Sequence, residues 1–567
     1  MNTFKIIFFL MAALVVTGID AQNDEKLTQD VEVIRAYTPT ISDAFKLSEL
    51  PLIKDSVTIE SKFQYAIETK QLPTDFQIDP IKPATMLGEP LSRLYNSYAK
   101  IGFGNYVTPM AELYINNLRS KKYTWNAFLK HQSSFGTIKN EDQKKVYAGY
   151  VDDFVSLSGK KFIDKKTLYC NIDYRDNTTF FYGYNAQDTN ITTPPTAKGD
   201  LKKQQFMLAN ALMGIKTNYT DKSHLNYDIF ANYYYFQDFY KNMENHASLT
   251  ANLSKYYNKE LLGLDFSTHF NQKSFTDSTN ALIKLNPWVS RVTDLWEVRI
   301  GLSAMIDIYW KEKFHFYPDV YLQYAVYKKL IIPYFGLKGY VEQNTYRNTG
   351  FENYFIAPGL DMINTNHRKV IYGGIKGTIT SNTFYNVKAM YTELQNAGFY
   401  VNDTTMYNAQ RLQNKFLVTT SNAQLVTIFG EASVRASEKL HFRLKGNYNH
   451  YIEIKNEDKA WHIPEYQGSV GASYNLQNKI YVSADVFVIG ERYAKTYDFT
   501  QLVDGKRPVV AKKLNMVVDA NIGVEYRYNK AFSLFLNFNN IANQKYYRWN
   551  NYQMQGFNFM GGLTYSF

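Results

Sequence analysis

Hydrophobic and polar residues alternate with a period of two along most of this chain. The clearest stretch is WEVRIGLSAMIDIYW, residues 296–310, where every second residue is apolar and most residues between them are charged, polar or small. This period predicts a β-strand with one apolar face, and tryptophan stands at both ends of that face. About 14 steps of about 3.3 Å, tilted by about 45°, rise about 33 Å, which is enough to cross the hydrocarbon core of a bilayer. The stretch therefore predicts a membrane-spanning strand.

The same alternation recurs as far as the last residue of the chain. It is clear in residues 246–257, in 440–451 and in the final GFNFMGGLTYSF, residues 556–567, and it places Cys170 on an apolar face. Marking a strand wherever the alternation holds gives about 22 strands between Tyr98 and the C-terminus. Strands this long and this numerous do not fit two packed sheets. The sequence therefore predicts an all-β fold, a closed transmembrane antiparallel β-barrel of about 22 strands.

The connections between the predicted strands fall into two alternating classes. Those after even-numbered strands are short and mostly contain lysine: 119–123, 164–166, 220–223, 258–260, 293–294, 327–329, 380–382, 437–439, 477–479 and 529–530. Those after odd-numbered strands are usually longer: 133–154, 177–203, 346–366, 395–424, 493–516 and 544–554. Short turns at one rim and long loops at the other are typical of outer-membrane barrels, whose short turns face the periplasm. Both termini are therefore expected on the periplasmic side.

An apolar run near the N-terminus predicts an export signal, and the composition restricts the kinds of partner that the protein can have. The apolar run 6–16 follows Lys5, is too short to span a bilayer as a helix and predicts a signal peptide, residues 1–21, cleaved after Ala21. No cysteine follows directly, so no lipid anchor is expected there. Aromatic residues reach 16%, as in the interfacial belts of membrane barrels. The formal net charge of +11 comes largely from lysines in the short turns, so no nucleic-acid partner is expected.

Residues 532–567 carry a recognisable order of features. An alternating strand leads into an asparagine-rich turn that ends in Lys545 and Tyr546, and after a loop the closing strand ends in Tyr565 and Phe567. This order resembles the last hairpin of TonB-dependent receptors, with the usual Pro-Gly-Arg before the closing strand reduced to a single glycine. The terminal Phe567 resembles the signature by which the barrel-assembly machinery recognises its substrates. The resemblance implies a location in the outer membrane of Gram-negative type, in contact with its lipid.

The segment before the barrel departs from that family. Residues 22–96 are far shorter than the folded plug of TonB-dependent receptors, and they contain six prolines that make regular structure unfavourable. A short apolar-alternating run, Val31 to Ile34, is loosely similar to the energy-coupling box of the family and equally suits an extended segment docked on the barrel. We expect a periplasmic or lumenal extension without a full plug, followed by the barrel at 97–567. Energised transport is not expected without a plug to move.

No motif in the sequence supports catalysis. The nine histidines are scattered, and no zinc-protease, nucleophile-elbow or phosphate-loop motif occurs. We interpret Glu297, Arg299 and Asp307 as charges that line the lumen. The acidic pairs Glu141–Asp142 and Asp152–Asp153 are placed in a long loop as solvated charge, with calcium binding as the alternative. We therefore expect no enzyme, no catalytic, cofactor-binding or metal site, and no cofactor.

Two functions remain open from these observations. The first is a passive or partner-gated solute channel related to TonB-dependent receptors. The second is a structural or assembly scaffold of a multi-protein outer-membrane complex, with lipoprotein or periplasmic partners. In both cases a barrel of about 22 strands needs closing, because barrels of 16–18 strands already leave an aqueous channel. We expect residues 22–96 to enter or cap the periplasmic mouth.

Overall fold

The computed structural model describes residues 95–567 except 119, 187–190, 192, 220, 278, 310–312, 328, 406–411 and 499–507. The predicted signal peptide and the extension up to residue 94 lie outside the described residues, so both stay predictions. The barrel belongs to a compact unit, Pro90–Phe567. Within the described part of the chain, the helices are too short or too polar to cross a membrane.

The described residues form 28 strands and one helix. The strands of the first half are β1 (Ser97–Gly104), β2 (Thr108–Asn116), β3 (Tyr123–Ser134), β4 (Thr137–Lys139), β5 (Lys145–Tyr147), β6 (Tyr150–Ile163), β7 (Lys166–Phe180), β8 (Lys203–Thr217), β9 (Asn226–Asp238), β10 (Met243–Tyr257), β11 (Glu260–Lys273), β12 (Asn280–Val292), β13 (Trp296–Asp307), β14 (Phe314–Tyr324) and β15 (Ile332–Glu342). The helix α1 (Tyr346–Glu352) follows. The remaining strands are β16 (Thr365–Thr380), β17 (Thr383–Asn402), β18 (Phe416–Arg435), β19 (Leu440–Ile454), β20 (Tyr466–Leu476), β21 (Ile480–Ile489), β22 (Arg492–Tyr497), β23 (Val509–Leu514), β24 (Val517–Arg527), β25 (Phe532–Asn539), β26 (Tyr547–Trp549), β27 (Tyr552–Gln553) and β28 (Asn558–Ser566).

Twenty-two of these strands close into one antiparallel barrel. Each barrel strand pairs with its neighbours in chain order, and β1 pairs with β28 in a register that sets Ile101 opposite Leu563. Ser97 and Phe567 exchange two backbone hydrogen bonds of 3.0 Å at the seam. Closure leaves no edge strand in the described barrel, which a bilayer requires because lipid offers no partner for backbone groups. The predicted fold class and strand number are confirmed.

The two faces of the strands differ as the alternation predicts. In β13, Ile300 and Leu302 are 53% and 52% exposed on the outer face, whereas Ser303 and Asp307 are 3% and 2% exposed on the inner face. The strand ends at Asp307 rather than at residue 310. The Asp307 carboxylate accepts a hydrogen bond of 3.0 Å from the Tyr309 amide, which turns the chain out of the ladder. The exposed apolar face is the surface that a lipid bilayer would cover.

Flat aromatic rings cover glycines on the inner wall. The Trp288 indole lies over Gly263 in the neighbouring strand, so a Cβ there would come within 2.1 Å of the ring. Tyr372 lies over Gly336, and Tyr334 lies over Gly374, in the same way. A ring that covers a cross-strand glycine recovers the burial that the missing side chain cannot provide. These pairs therefore determine where aromatic rings can lie against the inner wall.

All ten predicted short turns lie between barrel strands, and each follows an even-numbered one when the barrel strands are counted in chain order. The longest predicted loop, 395–424, is wrong in its extent. β17 and β18 run for 20 residues each and leave only 403–415 between them. Their far ends pack a buried cluster with Phe399 and Trp461, and this packing extends the ladder beyond the length that the pattern suggested.

Candidate functional site

Six loops meet on the side of the barrel that carries the long connections. They follow the 5th, 13th, 15th, 17th, 19th and 21st barrel strands and comprise 181–202, 343–364, 403–415, 455–465, 490–516 and 540–557. Three of them contain structure of their own, namely α1 in 343–364, β22–β23 in 490–516 and β26–β27 in 540–557. We call the packed, described parts of these six loops the loop cap.

Tyr552 is the centre of the loop cap. Its side chain is fully buried, and its ring stacks on Phe355 with the centroids 3.6 Å apart. Tyr182 packs edge-on against it at 4.9 Å, and the Tyr552 hydroxyl donates a hydrogen bond to the Asn414 carbonyl. These contacts join loop 540–557 to the loops after the 5th, 13th and 15th strands. Around the ring of 22 strands the 21st lies six, eight and six positions from the 5th, 13th and 15th, and the 5th and 15th are ten positions apart, so the contacts reach across the mouth.

Arg492 ties two of the cap loops together. Its buried guanidinium donates hydrogen bonds of 2.6 Å to the Tyr547 carbonyl and 2.7 Å to the Arg548 carbonyl. Burial, together with the nearby charge of Arg548, lowers the pKa of Arg492 below its ordinary value, but an arginine stays charged at neutral pH. One charged side chain therefore donates to two carbonyls of the neighbouring loop.

His462 forms a second polar link within the loop cap. Its Nδ1 lies 2.9 Å from the Tyr400 carbonyl and its Nε2 lies 3.4 Å from the Asn550 amide. A carbonyl can only accept and an amide can only donate, so the partners select the neutral tautomer with the proton on Nδ1. Burial lowers the pKa of His462 to about 4. The imidazole therefore acts as a neutral bridge between β17 and loop 540–557.

The helix α1 anchors loop 343–364 to the barrel wall. Thr345 caps its first turn by accepting from the Asn348 amide at 3.1 Å. The Tyr346 amide donates to the Glu244 carboxylate at 2.6 Å, and the Tyr346 hydroxyl donates to the Asp238 carboxylate at 2.7 Å. Burial and the Asp238 charge raise the pKa of Tyr346, so the phenol stays protonated and keeps donating. This loop is held by hydrogen bonds as well as by an aromatic cluster.

Two cavities adjoin the loop cap on the lumen side. One of about 420 Å³ is lined by polar wall residues that include Asp152 and Arg175, whose Nε donates to the Asp152 carboxylate at 2.8 Å. The other, of about 560 Å³, is lined by Lys445, His462 and Arg492 among others. Both cavities share a wall made of Glu352, Asp519, Tyr546, Arg548, Trp549 and Met554. Charges of both signs line this part of the lumen, which suits a hydrated polar solute.

The charges that the sequence assigned to the lumen do lie on the inner face. The Arg299 guanidinium lies 3.0 Å from the Asp265 carboxylate and 3.3 Å from the Asp319 carboxylate. Its charge therefore belongs to an ion-pair network and does not form a separate binding site. The Asp307 carboxylate accepts from the Asn364 side chain at 2.9 Å, which fastens loop 343–364 to β13. Glu297 accepts from Gln323 at 2.9 Å.

The acidic pairs are placed differently from the prediction. Asp152 and Asp153 lie in β6 rather than in a loop, on opposite faces of the strand. The alternation is obscured there because the two aspartates place a charge on each face of the strand. Glu141 and Asp142 do lie in a loop, where Asp142 accepts from the Tyr184 hydroxyl at 2.7 Å. Across the described residues, no group of three or more histidines, cysteines or acids is placed to hold a metal ion.

Sequence reasoning missed the residues that form the loop cap. Tyr552, Arg492 and His462 stand in segments without a period of two, and their hydrogen-bond partners are 55 to 138 residues away in the chain. The one signal available was composition, because loop 540–557 is rich in aromatic residues and asparagine. Such a loop is more apolar than solvent exposure alone would favour.

Comparisons with known proteins identify the fold. No protein-family model and no curated protein matches the chain. Solved structures do: a ferric enterobactin receptor of Pseudomonas aeruginosa has 11% identity and a TM-score of 0.60, over 83% of this chain and 80% of that one. The ferric-catecholate import receptor Fiu of E. coli has 10% identity and a TM-score of 0.60, over 84% and 82%. The ferripyoverdine receptor of the P. aeruginosa outer membrane has 12% identity and 0.57, over 84% and 72%. The chain is similar in fold to TonB-dependent receptors.

Proposed function

We propose that this protein is a gated solute channel of the outer membrane, with the loop cap as its gate. The observation that carries the proposal is the meeting of loops from opposite sides of the mouth at the buried Tyr552. The exposed apolar outer face supports a bilayer location, and the fold shared with import receptors supports passage of a solute through the lumen. In this function the lumen conducts a solute and carries out no chemistry.

The size of the barrel explains why a gate is needed. A barrel of about 22 strands encloses a lumen that is plugged in the outer-membrane transporters of that size. An unobstructed lumen of this width would make the membrane permeable to molecules it must exclude. The loop cap closes one side with aromatic packing and hydrogen bonds rather than with covalent links. A partner or a solute that competes for these hydrogen bonds can therefore open it without unfolding the barrel.

We extend the proposal to the other mouth, which we assign to residues 22–96. Between its prolines this segment carries apolar anchors, among them Phe45, Leu47, Phe63 and Phe76. The lumen wall towards the short turns offers aromatic faces, such as Tyr114 stacked on Phe128 at 4.2 Å. Docking of the anchors on these faces would close the mouth from the periplasm. The same orientation sets both termini on the periplasmic side, where Phe567 would meet the assembly machinery.

Deleting residues 25–90 tests this extension of the proposal. Cells that carry the deletion should admit large antibiotics faster than cells with the full chain, provided that the shortened barrel reaches the membrane in equal amount. Heat-modifiable migration on a gel checks that assembly. Permeability equal to that of the full chain would mean that the loops or a partner protein, rather than this segment, keep the pore closed.

Release of an entrapped dye from vesicles tests the gate. Proteoliposomes that contain the full chain should retain an entrapped dye of small size. Vesicles with the double substitution Arg492→Ala and Tyr552→Ala, made in the chain that also lacks residues 25–90, should release it, because the substitutions remove one polar link and the central ring of the loop cap while the deletion removes the closure assigned to the other mouth. Arg527→Ala is the matched control, since Arg527 stacks on Tyr481 near a short turn, far from the cap. Retention by the double variant with an intact barrel would contradict the gate.

A second function is favoured by how tightly the same loops pack. Tyr552, Phe416 and Trp461 are fully buried, which suits a mouth that stays closed and presents a firm platform to other proteins. In this reading the barrel is a scaffold for lipoprotein or periplasmic partners. Purification in mild detergent followed by mass spectrometry distinguishes the two functions. A constant set of partners, together with dye retention by the double variant, would favour the scaffold.

A further inference from the structure

Three residues on two neighbouring strands are joined by side-chain hydrogen bonds and lie outside the lumen. His131 and Ser133 are two positions apart on β3, so their side chains stand on the same face. Asp153 lies opposite His131 in the ladder between β3 and β6. The His131 Nδ1 is 2.6 Å from the Asp153 Oδ1, and the His131 Nε2 is 3.1 Å from the Ser133 Oγ.

These side chains lie on the outer face of the barrel. The residues between them point inward, since Gln132 donates to the Tyr150 hydroxyl and Ser134 accepts from Gln555 in the loop cap. Further along the outer face towards the short turns stand exposed apolar residues, Trp125 on β3 and Leu157 on β6. The chain of three therefore stands beside the lipid-facing surface, at the end that leads to the long loops.

The hydrogen bonds set the protonation pattern that a nucleophilic serine needs. Carboxylate oxygens accept, so Asp153 selects the tautomer of His131 with its proton on Nδ1. The lone pair on Nε2 is then directed at the Ser133 hydroxyl and can receive its proton. A carboxylate, an imidazole and a hydroxyl in this order recur on unrelated folds as a catalytic triad, which is recognised by geometry rather than by position in the sequence.

We propose that Ser133, His131 and Asp153 hydrolyse carboxylic esters of membrane lipids. The Ser133 oxygen attacks the ester carbonyl carbon while His131 takes its proton, and the tetrahedral intermediate collapses with that proton passing to the leaving alcohol. Water then attacks the acyl-serine, gives its proton to His131 and releases the fatty acid. Serine recovers its hydrogen, so the net reaction is ester plus water to acid plus alcohol.

The surroundings point to a lipid rather than to a soluble ester. The side chains of His131 and Asp153 are 44% and 46% exposed, on a surface that continues into the apolar belt. The Lys198 ammonium lies 5.8 Å from the ring centroid of Phe135, two residues beyond the serine, which brings a positive charge close to the segment that carries Ser133. Ser133 itself is fully buried in this structure, so the side chains around it must part before a lipid carbonyl reaches the oxygen.

A covalent probe and a lipid substrate test the proposal together. The full chain, reconstituted in vesicles of phosphatidylethanolamine and phosphatidylglycerol, is treated with a fluorophosphonate, and the modified peptide is located by mass spectrometry. We expect the label on Ser133 and release of free fatty acid from the vesicles. Ser133→Ala should lose both signals, and Asp153→Asn should lower the release at least about 100-fold, because the imidazole loses its orientation.

The neighbouring serine provides a matched control. Ser134→Ala changes an adjacent serine on the inner face and should keep both the label and the fatty-acid release. Every variant is first shown to be a folded barrel by heat-modifiable migration. Absence of label and of fatty acid with the folded wild-type chain would overturn the proposal, as would activity that persists in Ser133→Ala. Neither result would bear on the channel, because the triad faces away from the lumen.

Discussion

At the scale of single residues, the loop cap depends on side chains that bond to backbone groups of other loops. Arg492 holds two carbonyls of loop 540–557, and His462 bridges a carbonyl of β17 and an amide of the same loop. Such links connect segments without a matching partner side chain. Each is therefore sensitive to the loss or protonation of one residue.

Acid should loosen the cap through His462. Its pKa is about 4 in the folded protein against an ordinary 6.5, so the open state binds the proton more readily. The link is at full strength above pH 6.5 and is lost as the pH falls towards 4, a change of about 3 kcal/mol. Hydrogen exchange at the amides of loop 540–557, corrected for intrinsic rates, should accelerate over this window. His462→Gln, which cannot titrate, should show a flat profile, and equal profiles would exclude the histidine as the cause.

Removing the guanidinium should weaken the cap at any pH. Arg492→Met keeps much of the side-chain length but leaves the Tyr547 and Arg548 carbonyls without their donor. Each lost hydrogen bond to a charged donor costs about 1.5–3 kcal/mol. Limited proteolysis should therefore cut loop 540–557 at least about 10-fold faster in the variant. Arg527→Met, at the opposite rim, should be cut at the wild-type rate, and protection of the loop in Arg492→Met would contradict the assigned link.

At the scale of strands and loops, glycines under aromatic rings determine how the inner wall packs. Gly263→Ala would force a Cβ to within 2.1 Å of the Trp288 ring, whereas an added Cβ at Gly430 meets no atom within 4 Å. Overpacking of this kind costs about 1–3 kcal/mol. The urea midpoint of refolding in detergent should fall for Gly263→Ala and stay unchanged for Gly430→Ala. Equal midpoints would show that the ring moves freely.

The barrel could be predicted from the sequence, whereas the cap could not, and local periodicity is the reason. The alternation within a strand shows which residues face outward, such as Ile300, and which face inward, such as Ser303. Each short turn is likewise defined by adjacent residues. Tyr552 has no such local signal, because its neighbours Tyr182, Phe355 and Asn414 come from distant loops. The triad was missed for the same reason. The sequence led us to expect no enzyme, but Asp153 meets His131 only through the pairing of β3 with β6.

At the scale of the whole molecule, we propose a wide barrel with a separate closure at each mouth. The proposed closure is the loop cap on the long-loop side and residues 22–96 on the short-turn side. A channel built in this way stays silent while both closures hold. Opening one closure alone should give partial or brief conduction, and opening both should give a stable pore.

Single-channel recording tests the central claim most directly. The wild-type chain in a planar bilayer should be closed or open only briefly. The chain that combines Arg492→Ala and Tyr552→Ala with deletion of residues 25–90 should give long-lived steps of large conductance, as a lumen of about 22 strands implies. The Arg527→Ala chain should behave like the wild type. If the combined variant inserts as a folded barrel and still conducts no current, the lumen is not a conduit and the channel proposal is wrong.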